Sequence, residues 1–287
     1  MSRPKPDLDA LRAQIAALER RPVLADGASQ SLRKQDKTDG KNELLGLLKA
    51  PPGLLHEVFA DEHRQSGSAL GFTLGLARSL IAQNRQALIY LQLSAEAQEI
   101  GLPYGLGFSN FGLTPDTLVI GRIATIPELL WALEEALACR AVAGVIVDLA
   151  SHAKALDFTV SRRISLRAAA AGTSAFLIRY GTGREASAAR LRWHIKPVPS
   201  AGQPFDASAP GNPRFAIEIE KLRLGQESGQ HLRTEQHQLT LDWTENGFVS
   251  VDTREPQKQS PLAPLRRPAP PSRPQPAALG HRLSQAS

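Results

Sequence analysis

LLHEVFADEHRQSGSALGFTLGLARSLIA, residues 54–82, decides the fold. LLHEVFA (54–60) is a short apolar run of strand length, and ALGFTLGLARSLIA (69–82) is apolar at helical spacing. The loop between them, ADEHRQSGSAL (60–70), contains a single glycine, Gly67. A strand that passes through such a loop into a helix aims backbone N–H groups at one point, the geometry that cradles a phosphate. A working loop of this kind reads G-x-x-x-x-G-K-[ST]. With the second glycine placed on Gly67, Glu62 stands at the first glycine, Ser68 at the lysine and Ala69 at the hydroxyl residue. Glu62 brings negative charge towards a polyanion, Ser68 has no cation to offer the β- and γ-phosphates, and Ala69 has no oxygen for Mg²⁺. Arg64 is a candidate replacement charge, with a direction that the sequence leaves open. Ser66, Gly67 and Ser68 are therefore read as a vestigial nucleotide site, with Asp148 as its distant carboxylate.

Outward from this unit, strand and helix alternate. ALIYLQL (87–93) and DTLVIGR (116–122) read as strands, and TIPELLWALEEALACR (125–140) as a helix. Thr125 and Glu128 form a candidate capping box, with Pro127 in the first turn. VAGVIVDLA (142–150) is apolar almost throughout, as a strand covered on both faces must be. DFTVSRRISLRAAAAG (157–172) is a helix that stops at Gly172, and SAFLIRY (174–180) is the next strand. This alternation predicts an α/β fold with a mainly parallel sheet and right-handed crossovers. Beyond Tyr180 the pattern changes. LRWHIKPV (191–198), RFAIEIEKLRL (214–224), HQLTLDW (237–243) and FVSVDT (248–253) alternate apolar and polar residues between turn-formers and read as antiparallel C-terminal strands.

Asp148 closes the most apolar strand, where a nucleotide-hydrolysing domain keeps a carboxylate that holds magnesium through water. An acid there is equally an ordinary loop-start residue. Glu96, just after strand 87–93, stands where such a domain keeps a water-activating carboxylate. Neither has a function without the missing lysine. The seven histidines are scattered without metal-ligand spacing, GTG (181–183) lacks the third glycine and the helix of a dinucleotide site, and Ser66-Gly67-Ser68 is no G-x-S-x-G elbow. No cofactor and no metal are called for. Arg162, Arg163 and Arg167 cluster on helix 157–172 and read either as a solvated face or as a DNA contact. KLRLGQESGQHLR (221–233) reads as strand–loop–strand with a cationic tip that lacks stacking aromatics.

The formal charge is +6, and residues 254–287 carry six basic residues against the single acid Glu255, so nearly all the excess lies in that segment. The rest is close to neutral, which does not call for a broad nucleic-acid-binding face. Eight prolines and the lack of apolar periodicity make 253–287 a disordered tail in this reading, a candidate for salt-sensitive DNA contact. DLDALRAQIAALER (7–20) places Leu8, Leu11, Ile15 and Leu18 on one helical seam, and the polar segment 21–42 is a linker. The seam docks on the chain's own core, or it is a partner-binding or self-association helix. Asp7, Asp9, Arg12 and Glu19 leave no room for a signal-peptide core, and no apolar run suits a bilayer. Cys139 is the only cysteine, so no intramolecular disulfide or cysteine metal site exists, and a cytoplasmic location is expected.

The ordered pieces LLHEVFA with its following helix (54–76), EIGLPYGLGFSNFGLTPDTLVIGR (99–122), ELLWALEEAL (128–137), SRRISLRAAAAGTSAFLIR (161–179), SAARLRWHIKPVPS (187–200) and EIEKLRLGQESG (218–229) resemble the RecA-type recombinase core. More closely, they resemble the inducible mutagenesis protein A (ImuA) family. The resemblance spans most of 43–252 and implies a RecA-like P-loop-type core. It also implies a weakly catalytic or non-catalytic adaptor of SOS-induced translesion synthesis in bacteria. Its partners would be a Y-family-like polymerase homologue and an error-prone C-family polymerase. The degenerate loop departs from true recombinases and puts ATP-driven filament formation in doubt. Two alternatives stand beside the adaptor: a divergent DNA-dependent ATPase or recombinase, and a RecA-like inhibitor of cell division or recombination.

Overall fold

Leu55–Ala60 forms strand β1, and all six of its side chains are buried. A computed structural model describes residues 45–49, 51–150, 156–203, 205–223 and 238–251. The seam of Leu8, Leu11, Ile15 and Leu18, the linker 21–42, residues 224–233 of the basic loop and the tail 253–287 lie outside the described residues.

Alternation along β1 explains its complete burial, because the strand has a layer on each face. Val58 and Ala60 point into one core with helix α1 (Ser66–Arg78), whereas Leu55 points into a second core. Helix α1 begins three residues earlier than the apolar pattern suggests, because a 3₁₀ turn, His63–Gln65, feeds the chain straight into it. It also ends earlier, at Arg78, where the Ser79 hydroxyl donates to the Leu76 carbonyl at 2.7 Å.

Strand β2 (Ala87–Leu93) leads through helices α2 (Ser94–Ile100) and α3 (Gly105–Ser109) to β3 (Leu118–Ile123). Helix α4 (Ile126–Ala138) carries the expected capping box: the Thr125 side chain accepts from the Glu128 N–H, and the Glu128 carboxylate accepts from the Thr125 N–H. Strand β4 (Val142–Leu149) is buried along its whole length. Helix α5 (Phe158–Ala171) starts at an Asp157 cap and stops at Gly172, whose φ of 65° is open to glycine at little cost. Strand β5 (Ser174–Tyr180) follows.

The sheet is completed by β6 (Leu191–Val198), β9 (Arg214–Leu222), β10 (Gln238–Thr244) and β11 (Gly247–Val251), in the order β3-β2-β4-β5-β1-β6-β9-β10-β11. A short hairpin, β7 (Gly202–Gln203) and β8 (Asp206–Pro210), stands apart from it. From β3 to β6 the pairing is parallel, and from β6 onward it is antiparallel. The expectation that 191–198 is antiparallel is thus corrected on one side: β6 runs parallel to β1 and antiparallel only to β9. Period-two alternation reports which faces a strand buries and carries no information on its direction. Among the described residues no helix is long and apolar enough to cross a membrane.

Gly67, Gly71 and Gly75 recur every four residues along α1. A Cβ on Gly71 would lie 2.7 Å from the Phe111 ring, and one on Gly75 would lie 2.5 Å from Phe248 and 2.8 Å from Trp243. The bare backbone lets these rings close on the helix. Phe72, Trp193, Trp243 and Phe248 then pack as tilted and edge-on pairs with centroids 5.0–5.4 Å apart.

Candidate functional site

The C-terminal ends of β1, β2, β4 and β5 meet beside the loop that precedes α1, which is where an open parallel sheet places its ligand. Asp148 lies there, near the end of β4, and is 3% exposed. The Tyr90 hydroxyl on β2 donates to Oδ2 of Asp148 at 2.7 Å, and the Tyr180 hydroxyl on β5 donates to Oδ1 at 2.9 Å. Strand order explains the trio, since β4 lies between β2 and β5. Burial raises the Asp148 carboxyl above the ordinary carboxylate range, and the two phenol hydrogen bonds oppose that shift. Both tyrosines are themselves pushed well above the usual phenol range, first by burial and then by the neighbouring carboxylate, so they remain protonated donors. The His63 ring lies over Tyr180 at 4.7 Å, and Glu96 at the start of α2 accepts from the Ala150 N–H at 3.0 Å.

The loop residues are turned elsewhere. Arg64 pairs with Glu62 at 2.6 Å on the exposed side of the loop, so the candidate replacement cation is engaged by the acid two residues before it. Ser66 begins α1 and Gly67 follows it. Gly67 and Ser68 line an open cleft of about 340 Å³ with Phe111, Pro197, Pro213 and Phe215, among others. Asp148 is not in that wall. Of the four candidate residues, that cleft is lined by Gly67 and Ser68 and not by Ser66 or Asp148.

A magnesium–triphosphate does not fit the residues present. Each oxygen of the carboxylate that would hold the metal's water already accepts from a phenol, the loop cation is paired with Glu62, and serine and alanine stand where the lysine and the hydroxyl are needed. Among the described residues no group of three or more His, Cys, Asp or Glu side chains is placed to hold a metal ion.

Of the basic cluster, Arg163 and Arg167 reach across to Glu134 on α4, at 2.6 and 3.0 Å. Arg162 is exposed. Two of the three charges are thus used to tie α5 to α4. Their four-residue spacing shows a shared face but not the acid opposite it.

The sequence reading missed a second polar cluster on the opposite face of β1. Glu57, 1% exposed, accepts from Arg192 on β6 at 2.9 Å, from Ser187 at 2.7 Å and from Arg179 on β5 at 3.4 Å. Arg179 also reaches Glu185 at 3.1 Å, and Arg184 is held by Glu220. The Arg184 guanidinium lies 4.1 Å from the centre of the Phe59 ring, and those of Arg179 and Arg192 lie 5.4 Å from it. The signal available was a charged residue inside each of three apolar strands, which demands burial with a partner. Tyr90 and Tyr180 carried a similar signal, each a hydroxyl among aliphatic residues.

A parallel sheet in which β5 separates the loop-bearing strand β1 from the Asp148 strand β4, continued by antiparallel strands, defines a RecA-like α/β protein. No family model matches the chain. Protein ImuA of Caulobacter vibrioides, both in strain NA1000 / CB15N and in strain ATCC 19089 / CIP 103742 / CB 15, is 31% identical to it in a 199-residue alignment that covers 65% of this chain and 77% of the relative. The chain belongs to the ImuA family.

Proposed function

We propose that this protein is a non-catalytic adaptor of damage-induced mutagenesis, a RecA-like scaffold that assembles an error-prone polymerase complex in the cytoplasm without turning over a nucleotide. Membership of the ImuA family supports the mutagenic role. The observation that carries the non-catalytic reading is the pairing of Asp148 with two phenol donors, Tyr90 and Tyr180, in place of a hydrated metal. A domain that cycles on ATP needs that carboxylate facing the phosphates together with a cation above them. Here the carboxylate is internal and Arg64 is paired with Glu62. The partners in this reading are a Y-family-like polymerase homologue and an error-prone C-family polymerase, with the seam Leu8, Leu11, Ile15 and Leu18 as a docking helix and the basic tail as a DNA contact.

The test is ATP hydrolysis by the purified full chain with magnesium, with and without single-stranded DNA, alongside co-purification with the Y-family-like homologue. Background hydrolysis and a stable complex are expected. DNA-stimulated turnover that disappears in Asp148→Ala would replace this reading with that of a divergent DNA-dependent ATPase.

A further inference from the structure

Strand β3 (Leu118–Ile123) closes one end of the main sheet. It pairs with β2 on one side, and among the described residues no strand meets the backbone N–H and C=O groups along its other edge. Edges of this kind are usually blunted by a proline, a lysine, a bulge or a cover. Here the pairing with β2 is regular throughout, LVIGRI holds neither proline nor lysine, and Val119 and Ile120 are 53% and 40% exposed on opposite faces. Tyr104 and Leu106, also exposed, stand at the start of α3, which packs beside the 3₁₀ turn Pro115–Thr117 that leads into β3. Apolar surface therefore borders an open edge.

The strand is complementary to itself. Outward backbone groups on an edge belong to alternate residues, so two copies can bond antiparallel across a two-fold axis only if that axis passes through a residue. An axis through Leu118 sets Asp116 opposite Ile120. One through Ile120 sets Arg122 opposite Leu118, and one through Gly121 sets Arg122 opposite Ile120. Each of these lays a charge against an aliphatic side chain. An axis through Val119 sets Leu118 opposite Ile120 and Arg122 opposite Asp116. Asp116 and Arg122 are both exposed, and neither has an ion pair or a side-chain hydrogen bond among the described residues. Of these four registers, only the one at Val119 matches apolar with apolar and acid with base.

We propose that β3 pairs antiparallel with β3 of a second copy of this chain across a two-fold axis at Val119. The two sheets then continue into one, and Arg122 of each copy lies beside Asp116 of the other. Charge complementarity selects this occupant: the acid and the base stand three residues to either side of Val119, which is the symmetry that a self-complementary contact requires. The inference goes beyond the adaptor reading and is independent of it. A six-residue strand with its flanks is smaller than the roughly 20–30 residues a side of a standard interface. The association is therefore weak, with a dissociation constant of about 10–100 µM.

Sedimentation velocity of the full chain, from about 1 to 300 µM to span that range, tests the arrangement with Arg122→Asp and Asp116→Arg, both at exposed positions. The wild type is expected to form dimers as concentration rises. Each variant sets like charges face to face twice and should lose at least about tenfold in dimer affinity, with an unchanged circular dichroism spectrum. An equimolar mixture of the two variants rebuilds both pairs. The new acid of one chain faces the new base of the other, and the retained Asp116 faces the retained Arg122. The mixture should therefore regain the wild-type affinity. A wild type that stays monomeric overturns the proposal, whether its own terminal segment or a different partner then covers β3. Species that grow beyond the dimer would mean head-to-tail pairing with another edge and overturn it too. Association indifferent to either variant, or a mixture no tighter than its components, has the same consequence.

Discussion

The Tyr180 hydroxyl donates to Asp148 across adjacent strands at 2.9 Å, and with Tyr90 at 2.7 Å on the other side each carboxylate oxygen accepts from one phenol. Hydrogen bonds to a charged group contribute about 1.5–3 kcal/mol each. Removing one by Tyr90→Phe or Tyr180→Phe should cost about that much in urea denaturation at neutral pH, and the double variant should cost more than either. The folded Asp148 carboxyl already titrates above its unfolded value, so the group favours folding when protonated and loses that contribution as pH rises through the folded value. The tyrosine bonds lower it, so their loss raises it further. The double variant should accordingly regain part of its lost stability, relative to wild type, on mild acidification. An equal deficit at both pH values would contradict this account of Asp148.

Gly75 and Gly67 should respond oppositely to the same substitution. Gly75→Ala places a methyl 2.5 Å from Phe248 and 2.8 Å from Trp243, so it should cost about 1–3 kcal/mol through overpacking. Gly67→Ala meets open space, and alanine's better helix propensity should raise stability by up to about 1 kcal/mol. Melting temperatures that move in opposite directions are the check.

Glu57 holds two arginines inside the protein. Glu57→Gln keeps the shape and removes the charge, leaving Arg179 without its deepest partner and Arg192 with Ser187 and the Glu185 carbonyl. Breaking one side of a buried pair costs about 3–5 kcal/mol. Chemical denaturation should show a loss of that order. A loss within about 0.5 kcal/mol, the size of an ordinary surface substitution, would mean that the cluster is far wetter than its burial indicates.

His56 should make the fold acid-sensitive. Its ring is fully buried, stacks on Phe176 at 4.6 Å and accepts from the Trp193 indole at 3.3 Å. Burial pushes it from the usual 6.5 down to about 3. The unfolded chain therefore takes up a proton that the fold refuses. The resulting stability is complete above the unfolded value and is lost as pH falls towards the folded one, at up to about 1.4 kcal/mol per pH unit. His56→Gln should flatten the fall in unfolding free energy between neutral and mildly acid pH. An unchanged slope would show that His56 does not carry it.

Local features were legible in the sequence because their causes lie within a few residues. Thr125 and Glu128 are three apart and cap α4 as their spacing predicts. Gly172 ends α5, and the unbroken apolar run of β4 is buried on both faces. The loop's deficits at Glu62, Ser68 and Ala69 were equally plain. The direction of β6 was not, because alternation is the same in parallel and antiparallel strands. Nor was the direction of Arg64, which depends on whether the chain turns it towards the sheet or towards Glu62.

From sequence alone the chain reads as an alternating strand-and-helix protein whose phosphate-type loop has serine at the lysine position and alanine at the hydroxyl position. Residue identity accounts for that much, because neither Ser68 nor Ala69 can carry the lysine's charge and Ala69 has no side-chain oxygen. What fills the place is a tertiary matter. Tyr90 and Asp148 are 58 residues apart, Asp148 and Tyr180 are 32 apart, and only the order β2-β4-β5 brings the three side chains within hydrogen-bonding distance. Composition fixes which groups a chain owns, and sheet topology fixes which of them meet.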